Sequence, residues 1–380
     1  MWPTNCNVGF MLAGNWQMML TTRIREVADL DGILLPWKRL VGQSLTPAGL
    51  NSPELILPLL KKLSGAELAV VVQGKDLLFA LPINKRSSYA GLISNWITPL
   101  TVIGVPHLNK EFPVAALTTF INSLKHPLLL HSINVNDRFW DHLITRDAQF
   151  LVLNKWERAA LRPKGTFEEW LDNNFDRKRR KEYRRLTNRL AEQGKFESVA
   201  YQDAEDCRPW VADMLALEAS GWKGKRGTAI ASDNDLQVAF SDACQLLSAS
   251  GKLRFWKLVL NGKAIASAYA IVEGDRAWLV KIAYDEAFAK YSPGVLLVLY
   301  VTEKFFAETG IKLIDSCAVP GHPMIENIWR DRIEMADVMI APKSISATRF
   351  ALTVKAENLR RNVREKLRDI YYHLKGKKRS

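Results

Sequence analysis

The stretch "LRFWKLVLNGKAIASAYAIVEGDRAWLVKIAY", residues 253–284, decides the fold. It holds three runs rich in β-branched and aromatic residues, separated by two turn signals. Asn261-Gly262 joins the first two runs. A two-residue hairpin turn of this kind needs positive φ at both central positions, which Asn and Gly tolerate best. Glu273-Gly274-Asp275 joins the second run to the third, so the stretch predicts an antiparallel meander of three strands. Residues 285–300, "DEAFAKYSPGVLLVLY", follow as a short loop and an almost wholly apolar helix that opens at Pro293. Proline suits the first helical turn, and a helix amino terminus is a ready anion site. The loop carries one glycine where phosphate loops carry several.

Before the meander, the periodicity predicts a strand near 196–201 and helices near 205–220 and 234–250. After it come a strand at 311–315, a short helix near 323–331 and a strand at 335–341. The same order is readable earlier in the chain. A strand near 17–24 leads to helices near 29–42 and 52–63, then strands at 66–73, 76–84 and near 96–104. A helix near 112–124, a strand at 127–133, a helix near 138–146 and a strand at 148–153 complete it. "VVVQGKDLLFALPI" lies about 188 residues ahead of "KLVLNGKAIASAYAI", and such self-similarity predicts an internal duplication.

The bulk properties agree with a folded chain of two domains. Of 380 residues, 48% are hydrophobic and 24% charged. Cys6, Cys207, Cys244 and Cys317 form no CxxC pair, which argues against a disulfide framework and fits a reducing compartment. No apolar run approaches the ~20 residues of a membrane span. Residues 1–15 read as a loose leader, with Met11, Met18 or Met19 as alternative starts. The expected location is the cytoplasm, at most peripheral to the inner membrane face.

The net charge of +13 is concentrated. Residues 177–189, "RKRRKEYRRLTNR", hold eight Lys/Arg and one Glu, and residues 355–380 hold ten Lys/Arg and three Asp/Glu. The rest is nearly neutral, so two segments form an electrostatic footprint for an anionic surface, membrane or polymer. Both read as helices. Thr166-Phe-Glu-Glu169 is a capping box ahead of the first, and Gly194 is a natural stop behind it. In the tail, Ala356, Leu359, Val363, Leu367, Ile370 and Leu374 form one apolar stripe with a basic opposite face. Such a helix either packs its stripe on its own domain, leaving the basic side solvated, or engages an anionic surface.

The order of strand, two helices, meander, helix, strand, helix and strand resembles the GNAT acyltransferase fold. The tandem arrangement is similar to the Fem-type and CelD-type double-GNAT proteins, the latter associated with bacterial cellulose synthesis. "WKRLVGQSLTPAGLNSPELILPLL", "ALEASGWKGKRGTAI", "GKLRFWKLVLNGKAIASAYAI" and "WLVKIAYDEAFAKYSPGVLL" carry the likeness to the CelD branch, which spans roughly 25–345. The resemblance implies an α/β (α+β) class: two tandem GNAT-like mixed-sheet domains with helices on both faces, plus a basic C-terminal helix. The expected boundaries are 16–154 for a degenerate first domain, 155–195 for a basic helical connector, 196–345 for the acyltransferase domain and 346–380 for the tail helix.

The resemblance also implies transfer from acetyl-CoA or another acyl-CoA as co-substrate, usually to an amine. In such enzymes the strand before the cofactor helix splays from its neighbour, and the pyrophosphate sits on loop amides. The matching register here is Ala289-Lys290-Tyr291-Ser292-Pro293-Gly294. Gly294 matches the last position, Ser292 replaces a glycine, Ala289 replaces the usual Gln/Arg, and Pro293 removes an amide donor. Lys290, Ser292, Gly294 and Val295 are the expected cofactor contacts. The first half has Lys110-Glu111-Phe112-Pro113 at the corresponding place and is expected to bind none.

Amine acylation needs a deprotonated amine, a held oxyanion and a proton for the leaving thiolate. Tyr284 and Asp285, at the carboxyl end of the last meander strand, and Asp315, at the end of the next strand, are the catalytic candidates. Glu218, Trp222 and Lys223 follow the first helix of the half, where the family builds its acceptor wall. Lys281, in an otherwise apolar strand, needs a partner or a role. His322 in "DSCAVPGHP" joins these as a substrate-site candidate. Cys317 and His322 also suggest covalent catalysis, but the resemblance implies direct transfer. The remaining histidines show no metal-ligand spacing, and no metal is implied.

The leading expectation is an acyl-CoA-dependent N-acyltransferase, such as an acetyltransferase, acting on an amino sugar or similar precursor of exopolysaccharide or envelope. A non-catalytic GNAT-fold binding protein is the alternative that the degenerate loop supports. A Fem-like transfer from aminoacyl-tRNA draws on the basic 177–189 segment, but no long helical hairpin is present, so a nucleic-acid partner is the weaker expectation.

Overall fold

The computed structural model describes residues 6–10, 18–25, 30, 32–86, 91–143, 148–202 and 206–374. Most of the expected leader, Met11 included, and the last residues of the tail, 375–380, lie outside the described residues. The chain forms two compact units. The first comprises Met1–Pro53, Ser64–Trp156 and Glu334–Ser380, and the second Glu54–Leu63 and Glu157–Ile333.

In chain order the elements begin with β1 (Cys6–Phe10), β2 (Met18–Arg25), α1 (Leu34–Gly42), α2 (Pro53–Lys62), β3 (Glu67–Gln73) and β4 (Asp76–Arg86). Next come β5 (Leu92–Asn95), β6 (His107–Leu108), α3 (Pro113–Ser123), β7 (Leu128–Asn134), α4 (Arg138–Leu143) and β8 (Ala148–Leu161). Two helices follow, α5 (Phe167–Asn174) and α6 (Arg177–Ala191), then β9 (Phe196–Ala200). The helices α7 (Arg208–Ser220), α8 (Trp222–Lys225) and α9 (Asn234–Ala249) precede the meander of β10 (Leu253–Leu260), β11 (Lys263–Glu273) and β12 (Arg276–Tyr284). The chain ends with α10 (Pro293–Ala307), β13 (Leu313–Asp315), β14 (Asp331–Pro342) and α11 (Ala347–Leu374).

The meander forms as its turns dictate: Asn261 and Gly262 have φ of 50° and 79°, the pair of positive values that the hairpin requires. Its strands carry helices on both faces, and the side-chain alternation of a strand explains how. Trp256 points to α10, where its ring meets Phe305 at 5.2 Å. Its neighbours Phe255 and Lys257 point the other way, to Trp210 and Asp213 of α7. Around α10, Trp256, Leu258, Leu297, Phe305 and Trp329 are among the residues of one buried cluster. Each such side chain contributes about 1.5–3 kcal/mol by leaving water. Trp329 buries its polar edge by donating from Nε1 to Thr302 Oγ1 at 2.9 Å.

The two units repeat one strand order. In the first it runs β2-β3-β4-β5-β7-β14, with β1 added beside β2. In the second it runs β9-β10-β11-β12-β13-β8. Among the described residues each contains one parallel pair, β5 with β7 and β12 with β13. Each is continued by the last strand of the other repeat: β14 pairs with β7 over Met335–Ile340, and β8 pairs with β13 at Ala160 and Leu161.

Three local expectations need correction. No strand covers 96–104; β5 stops at Asn95 and β6 takes up only His107–Leu108. Pro99 and Pro106 lack amide donors, and the carbonyls of Ile103 and Val105 are taken by the Asn51 side chain. The short helix near 323–331 is a single 3-10 turn at Ile325–Asn327. In α11, the apolar stripe does not pack on the helix's own unit; Leu359, Val363, Leu367 and Ile370 are exposed. The capping box at Thr166 and Glu169 is present with both bonds.

Candidate functional site

The second unit opens where its parallel pair stops. β12 and β13 are in register only at Arg276↔Leu313, Ala277↔Ile314 and Trp278↔Asp315. β12 then runs six residues further, to Tyr284. Opposite β11, Tyr269 pairs with Lys281 and Ala270 with Leu279, so Val280 is a bulge. Bulges re-aim side chains beside functional sites, and Lys281 follows this one directly.

A small pocket lies where β12 ends against α7 and α8, lined in part by Glu218, Trp222, Lys223, Tyr284 and Glu286. Glu218 comes from the last turn of α7. Its Oε1 accepts from Lys281 at 2.7 Å and from Lys223 at 3.1 Å, while Oε2 accepts the Ile230 N–H at 2.9 Å. The side chains of Glu218 and Lys281 are 3% and 8% exposed, so the pair is desolvated and would be costly without these partners. Burial pushes the Glu218 carboxyl up, but Lys281, the Ile230 amide and Lys223 outweigh it and hold it below its usual value. Burial and then the Lys223 charge draw Lys281 below its usual value, and Glu218 only partly offsets them. The cluster thus sets two amines against one carboxylate.

Glu286, beyond the end of β12, fastens α8 to this strand end. Its Oε1 accepts the Trp222 N–H and its Oε2 accepts from Lys225, both at 2.9 Å. Trp222 is 54% exposed, with the Arg226 guanidinium 5.0 Å from its ring. Gly224 is required in this turn, because a Cβ there would overlap the Ala219 carbonyl. Tyr284 is partly exposed, and its ring lies against the start of α10: a Cβ at Gly294 would come within 3.2 Å of Tyr284 Cδ1 and 3.0 Å of Met324 Sδ.

At that helix start Ser292 is left-handed, with φ 51° and ψ 50°, and its side chain makes no capping bond. Its N–H donates to the Ala289 carbonyl, and its own carbonyl accepts from Val295 and Leu296. With Pro293 lacking an N–H, the Gly294 amide and the Ser292 hydroxyl are the remaining donors of the turn. Gly294 is buried, Ser292 half-buried and Lys290 exposed, its Nζ 4.9 Å from the Tyr291 ring.

Glu218, Trp222, Lys223, Lys281 and Tyr284 therefore meet in one place, and other candidates are engaged beside it. Asp285 Oδ1 caps the following 3-10 turn through the Ala287 N–H, and Oδ2 lies 3.5 Å from Lys263. Asp315 is buried in a pair with Arg158 at 3.1 Å and accepts the Cys317 N–H at 2.8 Å. His322 is held below its usual pKa, by burial first, and its Nδ1 accepts the Met324 N–H at 3.4 Å. Burial and the Asp315 charge push the Cys317 thiol well above its ordinary value, which leaves little thiolate at neutral pH.

Sequence reading missed Arg158 and Met324, and it noted Glu286 in the strand-exit run Tyr284-Asp285-Glu286 without choosing it as a site residue. Glu286 had a signal, being adjacent to the chosen Tyr284-Asp285 at the strand exit. Arg158 had none, since 157 residues separate it from Asp315. A larger cavity of about 460 Å³, lined by residues of α5, α6, α10, β9 and β10, includes none of the sequence-predicted catalytic, cofactor or acceptor residues, though Arg180 and Arg184 of the basic segment line it.

A mixed sheet with a splayed parallel pair, a bulge on the longer strand and a helix start beside it define a GNAT-type architecture. Residues 177–321, from α6 to just beyond β13, match the family model described as acetyltransferase (GNAT) domain. Among solved structures, a conserved protein of unknown function from Bacteroides thetaiotaomicron VPI-5482 is similar at TM-score 0.53 and 12% identity, covering 80% of this chain and 97% of that one. FemX is similar at TM-score 0.53 and 10% identity, covering 81% and 96%. The C-terminal domain of a protein described as a lysylphosphatidylglycerol synthetase, from Agrobacterium fabrum, is similar at TM-score 0.54 and 11% identity, covering 86% and 95%. At these identities the likeness is one of fold. No curated protein sequence matches the chain significantly.

Proposed function

We propose that the chain is an acyl-CoA-dependent N-acyltransferase that works at the open end of β12, transferring an acyl group to an amine of an exopolysaccharide or envelope precursor. The observation that carries this reading is the splay of β12 from β13 beside the pocket lined by Glu218, Lys223 and Tyr284, within the stretch that matches the GNAT domain. Acyl-CoA supplies an activated thioester. The Ser292 hydroxyl, the Lys290 ammonium and the Gly294 amide are the groups that would hold its pyrophosphate, in place of a longer row of amides. Tyr284, of the three catalytic candidates, is the one whose side chain lines the pocket, and its phenol is the proton donor to the leaving group. Glu286 is the carboxylate of the same wall that takes the amine proton, through water. The Glu218–Lys223–Lys281 cluster, with its excess of positive charge, orients the acceptor by an anionic group, and Trp222 flanks it.

Isothermal titration with acetyl-CoA and longer acyl-CoAs tests the reading. Binding of one of them, weakened by Ser292→Ala with Lys290→Ala, is expected; binding of none would overturn it. A second reading, transfer from aminoacyl-tRNA, is favoured by the eight Lys/Arg of residues 177–189 on α6 and by the few amides at Ser292–Val295. A salt-dependent gel shift with charged tRNA, in a protein that binds no acyl-CoA, would establish it instead.

A further inference from the structure

The tail helix α11 is turned inside out relative to an ordinary amphipathic helix. Its apolar contacts with the body of the first unit come from Phe350 and Val354, which pack on a buried cluster of Leu92, Leu129 and Met339. Thr353 and Glu357 lie on the same side and are buried. Glu357 accepts from Arg360 and Arg361, and Arg361 also donates to Asp337 Oδ2 at 2.7 Å. The body-facing side of the helix thus holds much of its paired charge. The outward side holds the large apolar residues: Leu352, Leu359, Val363, Leu367 and Ile370, each 47–66% exposed. At 100° per residue these five fall within about 80° of arc, roughly opposite Glu357 and Arg361. From Asn362 to Ile370 every residue of the helix is exposed, and the stripe runs on through them.

A scattered surface leucine needs no explanation, but a continuous apolar stripe marks an interaction face. What covers it is decided by charge. Ala347–Leu374 contains seven Lys/Arg and three Asp/Glu, and one of those acids, Glu357, is already buried between two arginines. Lys355 and Lys366 flank the stripe on one side, Arg360 and Arg364 on the other, all exposed. A second copy of the helix would bring this positive charge against itself. An anionic lipid surface would neutralise it, receive the leucines among its acyl chains, and let the long basic side chains reach the headgroups. No helix among the described residues is long and apolar enough to cross a membrane, so this contact lies in the plane of the surface. We propose that α11 is an interfacial helix that docks the first unit on a membrane rich in anionic lipid, through Leu352, Leu359, Val363, Leu367 and Ile370. It stands whether or not the acyltransferase reading does.

Co-sedimentation of the full chain with vesicles tests the inference. The chain is expected to partition onto vesicles containing phosphatidylglycerol, to stay in solution with phosphatidylcholine alone, and to be released by salt. Leu359→Asp with Leu367→Asp should lower partitioning by about tenfold per site. The melting temperature should not fall, because both side chains are solvent-facing in the free protein. Lys355→Glu with Lys366→Glu should weaken binding to anionic vesicles and leave the apolar stripe intact. Three outcomes overturn the proposal: partitioning unaffected by the aspartates; a dimer in light scattering that they convert to monomer, with no vesicle binding by either form; or RNA binding, sensitive to the glutamates and not the aspartates, with no vesicle binding.

Discussion

The two parallel strand pairs, β5 with β7 and β12 with β13, occupy the same place in the same topology and end differently. In the first unit, the chain leaving β5 seals the opening itself. Asn95 accepts the His131 N–H of β7 at 2.8 Å and donates to the Ile103 carbonyl at 3.3 Å. Gly104 comes so close that a Cβ would sit 2.8 Å from the His131 carbonyl. In the second unit, β12 runs on to Tyr284, and the polar cluster gathers at its end. One repeat fills the split with its own chain; in the proposed reading the other leaves it to the acyl-CoA. A fold that must separate two hydrogen-bonding strand edges has to satisfy them somehow, and the difference lies in whether the partner is covalently attached.

This contrast can be broken at four points. The largest effect is expected from Tyr284→Phe, which should lower kcat by ~10²-fold or more while leaving thermal melting unchanged, as a proton donor rather than a packing residue would. A steady-state assay beside a melting curve separates the two roles. Arg158→Met should do the reverse. It leaves the buried Asp315 carboxyl without its guanidinium partner, at a cost of about 3–5 kcal/mol in urea denaturation. Asn95→Ala should strip the His131 amide and the Ile103 carbonyl of a partner and cost about 1–3 kcal/mol, with turnover per folded molecule retained. Transfer lost in this variant at full stability would mean that the sealed repeat contributes to the reaction.

The smallest difference between the units is expected under acid. Glu54 and Glu218 in the second unit and Asp337 and Glu357 in the first are all held below their ordinary values. Each folded carboxyl binds its proton less readily than the unfolded one. Their contribution is therefore complete above the ordinary value of 4.5 for the glutamates and 3.8 for Asp337, and is lost as pH falls through the folded values. Melting followed from pH 7 downward should show both units softening together.

Most of the architecture could be read from local signals. The Asn261-Gly262 turn, the capping box at Thr166 and the proline-led α10 were legible because each is settled within a few residues. The site was half legible. Glu218, Trp222, Lys223, Lys281 and Tyr284 stood out as polar or aromatic residues at element ends, and they meet. Asp285 and Asp315 stood out for the same reason, yet their carboxylates are engaged in a turn cap and a buried ion pair. Nothing in "LVLNKWERAAL" announces that its arginine will reach Asp315, because that contact depends on which sheet β8 joins. The exposed stripe of α11 was visible as a pattern, but its direction was not: periodicity gives a face, and only packing says what the face meets.

The exchange of final strands also has a temporal side. The part of β14 that pairs with β7 begins some two hundred residues after it, at Met335. At ribosomal rates of roughly 5–20 residues per second, β7 waits on the order of ten to forty seconds for β14 to be made. During synthesis the first repeat thus presents an unpaired edge, the kind of surface that recruits a chaperone or a neighbouring nascent chain. A copy truncated after β8 would keep that edge permanently. The polypeptide is in that sense a single folding event with a late closing step, although its topology is written twice.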